Sequence, residues 1–171
     1  MQLKLWIFFQ LGWWTQVFCF IVADKYFSWL FMCFSFLILL IELIYLKIKF
    51  KSIIYIFIFS CLGFGIDLIQ VGLGTLVFFK NFIWGLPYMW VLFFVWLFHS
   101  NLENRIRPIF LSFIFASIAP LGYLAGEKFG LLTFVLGKQS IVFMGVLWFV
   151  LLNFYYFFLK KQRNRTENLA L

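Results

Sequence analysis

The amino-acid sequence predicts an all-α, polytopic membrane helix bundle with six transmembrane helices and both termini cytoplasmic. Three observations predict it. The 171 residues are 65% hydrophobic and only 12% charged, against roughly 25% charged in soluble domains. The apolar residues fall into runs near the ~20 residues that a spanning helix needs. The basic residues gather in alternate connections and at the C-terminus, as they do in proteins sorted by the positive-inside rule. A chain this short cannot bury so much apolar surface in a water-soluble core, so lipid must solvate much of it.

The spans are expected at 5–22, 26–46, 53–79, 82–98, 109–125 and 141–159. The first contains Gln10 and Gln16, and the bulky residues around Cys19 offer no small-x-small cleavage site. It therefore reads as a retained helix, not a signal peptide. Asp24-Lys25 separates it from the second span, and Lys47-x-Lys49-x-Lys51 separates the second from the third. Lys80-Asn81 divides the third from the fourth. Residues 99–107 form the longest polar connection, and Pro108 suits the first turn of the fifth helix, where a missing N–H costs little. Gly126-Glu127-Lys128-Phe129-Gly130 ends that helix. Residues 131–140 are too short to span and read as an interfacial or re-entrant segment. Residues 1–163 make one domain. A polar cytoplasmic tail, 164–171, is expected to be disordered, and its Asn164-Arg165-Thr166 sequon reads as accidental.

Six spans put both termini on one side. That side carries Lys4, Lys47, Lys49, Lys51, Arg105, Arg107, Lys160, Lys161, Arg163 and Arg165, against Lys25, Lys80, Lys128 and Lys138 on the other. The ten-to-four split places both termini in the cytoplasm. The net charge of +8 is thus a topology signal, and no nucleic-acid partner is expected. Cys19, Cys33 and Cys61 all lie in apolar spans and read as small buried hydrophobes. The 28 Phe residues read as lipid-facing and packing bulk, not as a ligand cage. No internal repeat is evident. Inverted repeats would favour a transporter, and their absence weighs slightly against one.

Asp67 stands out. No other charge lies between Lys51 and Lys80, and a carboxylate at bilayer depth needs a partner or a task. Ser60, Gly63, Asp67, Gln70 and Gly74 recur at three- and four-residue intervals, which puts them on one helical stripe. Gly65 and Gly72 lie on the opposite side and would admit a second close neighbour. Asp67 either binds a proton, cation or polar substrate group, or is a hydrogen-bonded acid that locks helices together. Gln10 is the first expected partner, followed by Gln16 and Ser117. Weaker candidates are Glu42, able to snorkel to the interface, and His99 with Ser100 at the end of the fourth span. The bland reading of both is an interfacial helix end. Trp13, Trp14, Trp84 and Trp90 read as interfacial anchors or packing residues. Pro87 and Pro120 read as kinks. No GxSxG, HExxH or P-loop is present, and one histidine makes a dedicated zinc site improbable. No metal or cofactor is expected.

Several short motifs occur together in order. They are Phe9-Gln10-Leu11-Gly12-Trp13, Gly63-Phe64-Gly65-Ile66-Asp67 with Gly72-Leu73, Pro87-Tyr88-Met89-Trp90, His99-Ser100, and Ala119-Pro120-Leu121-Gly122-Tyr123-Leu124-Ala125-Gly126. Through them the chain resembles a bacterial integral-membrane family, domain of unknown function 2878. The resemblance implies a small inner-membrane protein and no established activity or catalytic residue. Family members resemble neighbours of lipid-modifying genes, which supports a lipid-related role by association. The expected function is an accessory or lipid-handling inner-membrane protein that is not an enzyme. Its partners would be the bilayer, a lipid substrate or another membrane protein. A proton- or cation-coupled transporter using Asp67 is the alternative. A membrane-embedded lipid-modifying enzyme is third.

Overall fold

In the computed structural model of the chain, the described residues are 50–79, 85–100 and 102–168, preceded by helical positions 33, 36, 37, 40, 41 and 44. The first expected span lies outside them, and of the second only those isolated helical positions are described. The elements are α1 (Phe50–Gly72), β1 (Leu76–Phe78), α2 (Leu86–Ser100), a short 3-10 turn (Leu102–Asn104), α3 (Pro108–Lys128), β2 (Leu132–Phe134) and α4 (Lys138–Asn168).

Three of these helices contain segments long and apolar enough to cross a membrane: Ser52–Gly72, Pro108–Lys128 and Lys138–Lys160. Their outward residues, among them Phe57, Leu62, Ile69, Phe113, Val146 and Phe157, are large, apolar and exposed. Lipid accommodates such a surface, whereas water does not. Cys33 and Cys61 also face outward as free thiols, so the expectation of buried cysteines fails for both. α2 has 15 residues. At about 1.5 Å per residue it is about 22 Å long, short of the roughly 30 Å hydrocarbon core. Pro87 is its second residue, so this proline starts a helix instead of kinking one. Pro120 lies inside α3.

Three expected boundaries move. The third span does not stay helical to residue 79. Gly74 adopts a left-handed φ of 67° and donates to the Val71 carbonyl, while the Thr75 N–H donates to that of Gln70. These bonds close the helix in a Schellman turn, and β1 follows. Residues 131–140 are not one irregular connection. They form β2, a turn at Gly137 (φ 53°) and the start of α4. The tail is not irregular from residue 164, because α4 continues to Asn168. Lys, Gln, Arg and Glu are good helix formers, and no Gly or Pro interrupts 146–168.

The described residues form two copies of one helix–strand–helix unit, α1–β1–α2 and α3–β2–α4. The strands pair antiparallel, with Leu76 opposite Phe134, Val77 opposite Thr133 and Phe78 opposite Leu132. The Phe79 N–H donates to the Leu131 carbonyl, and Val135 donates to that of Thr75. Each bond is the other's two-fold mate. The turns match at a constant offset of 56 residues. Gly130 (φ 71°) repeats Gly74, and its bond to Glu127 repeats that of Gly74 to Val71. Leu131 to Gly126 repeats Thr75 to Gln70.

The sequence does contain this repeat, contrary to expectation. Phe57-Ile58-Phe59 recurs as Phe113-Ile114-Phe115, Leu76 as Leu132 and Phe78 as Phe134. These are commonplace residues in a Phe-rich chain, and the conspicuous polar residues are not duplicated. Phe59, Trp90, Phe94, Leu97, Leu132, Met144, Leu152 and Tyr155 form the buried core, drawn from both halves.

Candidate functional site

Asp67 sits in the core with 0% exposure. α1 brings it there on the predicted stripe, but its partners are not the predicted ones. The Trp90 Nε1–H of α2 donates to Oδ2 at 2.6 Å. The Tyr123 hydroxyl of α3 donates to Oδ1 at 2.8 Å. One carboxyl group therefore joins three helices and both halves of the fold. Neutral donors occupy both oxygens, and no cation reaches Asp67 among the described residues.

Packing holds the two donors. The Trp90 indole lies over Gly63, where any added Cβ would collide with the ring. Glycine is needed there for close approach, as the stripe predicted. On its other side Trp90 stacks on Trp148 of α4, with centroids 4.5 Å apart and planes at 28°. Phe93 meets both indoles edge-on. Trp148 in turn reaches the Tyr123 hydroxyl, although its Nε1–H makes no hydrogen bond of good geometry.

Gln70, one turn after Asp67, is fully buried. Neither its amide nitrogen nor its oxygen has a partner among the described residues. Such a group is rare in a folded interior and calls for an explanation.

The other expected residues are placed differently. The Ser60 hydroxyl donates to the Ile56 carbonyl of its own helix at 2.7 Å, and that of Ser117 to Phe113 at 2.9 Å. Neither pairs with Asp67. A Cβ at Gly65, Gly72 or Gly74 would meet no described atom within 4 Å. These three therefore seat no second helix among the described residues, and Gly74 serves the turn instead. His99 Nδ1 meets the Val95 carbonyl at 2.9 Å, and Ser100 donates to that of Leu97 at 2.8 Å. Both occupy the end of α2 remote from Asp67. Gln10, Gln16 and Glu42 lie outside the described residues.

Reading by residue type thus missed both partners of Asp67. Trp90 read as an interfacial anchor or a packing residue, and Tyr123 was only part of a motif. One signal was present: Asp67 lies seven residues before Gly74, and Tyr123 lies seven before Gly130.

Helices of spanning length and apolar surface, gathered around a buried carboxyl group, define the class: an all-helical membrane protein. The chain belongs to the family described as "Protein of unknown function (DUF2878)", whose model matches residues 2–154. No curated protein and no solved structure matches it.

Proposed function

We propose that this is a small six-span protein of the bacterial inner membrane that holds or hands on a membrane-resident amphiphile without altering it chemically. The observation that carries the reading is the state of Asp67. Its oxygens accept from Trp90 and Tyr123 in a setting otherwise dominated by aromatic and aliphatic side chains. This arrangement suits holding and orienting. General-base chemistry would need the carboxyl group within reach of a substrate proton, and both of its oxygens are engaged. His99 and Ser100, the other candidates for chemistry, bond to carbonyls of their own helix. The broad apolar exterior fits a protein whose partner is itself lipid-like.

The test is a deletion strain. Its extractable lipids should change in composition or leaflet distribution, and the intact gene should restore them. Unchanged lipids under both exponential and stationary growth would remove this reading.

One observation favours the second reading, transport coupled to a proton or cation. Many transporters are built from internal repeats with the site at the repeat interface, and Asp67 lies at such an interface. Purified protein in sealed proteoliposomes separates the two readings. Proton or cation flux that Asp67→Asn abolishes supports transport.

A further inference from the structure

The two halves match in their apolar scaffold and differ where they face each other. Phe59 packs on Phe154 with centroids 5.9 Å apart, and Phe115 packs on Trp96 at 5.7 Å. Phe59 and Phe115 are 56 residues apart, whereas Trp96 and Phe154 are 58 apart: the second strand-to-helix link is the shorter, but the matched residues lie further into α4 than into α2. The same two offsets relate Asp67 to Tyr123 and Trp90 to Trp148. The stacked indoles are thus pseudo-two-fold mates, and so are the carboxyl and hydroxyl groups that they approach. Trp90 donates to Asp67. Trp148 approaches Tyr123 without completing a bond. Gln70 corresponds to Gly126.

A clasp alone needs no such asymmetry. One half supplies a carboxyl group and a buried amide, whereas the other supplies a phenol and no side chain at all. The Gln70 amide and the Trp148 N–H lack partners among the described residues. Leaving buried polar groups unmatched is costly. The cost is understandable if another molecule completes the pairing.

We propose that the interface between the halves is a binding site for a zwitterionic amphiphile head group, closed in this structure by Tyr123. Asp67 takes the ammonium. The Gln70 amide and Trp148 Nε1–H take an acceptor oxygen on the same head group. Tyr123 is the latch: its hydroxyl must leave Oδ1 before an ammonium can reach it. The strand pair holds the halves together at one end, so they can part around Asp67 without separating. This inference rests on the amphiphile-binding reading and specifies its ligand class.

The test uses the full chain in lipid nanodiscs, titrated with short-chain phosphatidylethanolamine and read by tryptophan emission. Short-chain phosphatidylglycerol, which lacks the ammonium, is the control. The intact protein should respond saturably to the first lipid alone. Asp67→Asn should bind about tenfold more weakly, and Gln70→Leu several-fold more weakly, as lost polar contacts of this kind predict. Tyr123→Phe removes the latch and should bind more tightly. Melting curves confirm that each variant is folded, and a second Asp67 variant, Asp67→Ser, replaces Asn if Asn unfolds. Equal responses to both lipids, no saturable response, or unchanged affinity in the folded Asp67 variants would overturn the proposal. A changed lipid profile in the deletion strain alongside such a result would leave the broader reading standing and remove this site alone.

Discussion

At the residue scale, Asp67 and Gly63 make opposite demands on substitution. Asn at position 67 keeps an acceptor for Trp90 or Tyr123, whereas Leu leaves both donors buried and unmatched. Asp67→Leu should therefore destabilise the protein by about 1–3 kcal/mol, and Asp67→Asn by less. Reversible unfolding in mixed micelles measures both, and equal stability of Leu and wild type would show that the carboxyl group clasps nothing. The glycines give a test of sign. Replacing a helical Gly by Ala ordinarily stabilises by up to about 1 kcal/mol. Gly65→Ala should follow that rule, because no described atom lies near its Cβ. Gly63→Ala should reverse it, since the new methyl group enters the Trp90 ring. Asp67 and Gly63 were legible in the sequence because a lone acid and its helical spacing need no tertiary information. Trp90 and Tyr123 were not. An indole or phenol in an apolar run reads equally well as packing, and only the fold shows where its polar atom points.

At the scale of the elements, a left-handed glycine ends each of α1 and α3, and a short strand follows it. Gly74→Ala and Gly130→Ala should each cost about 1–2 kcal/mol, because a Cβ clashes with the backbone at positive φ. Similar costs at the two sites would support the repeat, and amide exchange at β1 and β2 would report loosening of both strands from either change. A stronger test exchanges the mates. Asp67→Tyr alone and Tyr123→Asp alone should destabilise. The double variant should recover much of the loss, with Trp148 donating to the new carboxylate as Trp90 does to the old. A double variant no more stable than the sum of its parts would mean that the two positions are not equivalent. The helices were legible from apolar run length, but the strands were not. Residues 76–78 and 132–134 continue the hydrophobicity of their neighbours, and their pairing joins residues 54 to 58 positions apart. What interrupts each helix is one glycine, whose left-handed φ has no signature in hydropathy.

At the scale of the molecule, the charge distribution meets the repeat. Each half runs out through one long helix, turns at the strand pair, and returns through a second helix. Lys128 and Lys138 flank the strand end, whereas Arg105 and Arg107 lie at the opposite end, between α2 and α3. On the proposed topology, the positive-inside rule puts the arginine end in the cytoplasm. α2 is the shortest of α1–α4, and its 15 residues fall short of the ~20 usually needed to span. A reporter fused after Leu171 should accordingly be active only in its cytoplasmic form, and one inserted after Lys138 only in its external form. Matching compartments for the two fusions would mean that α4 does not cross. An external reporter at Leu171 paired with a cytoplasmic one at Lys138 would invert the whole molecule and place its strand end, with the Tyr123 latch nearest to it, towards the cytoplasm.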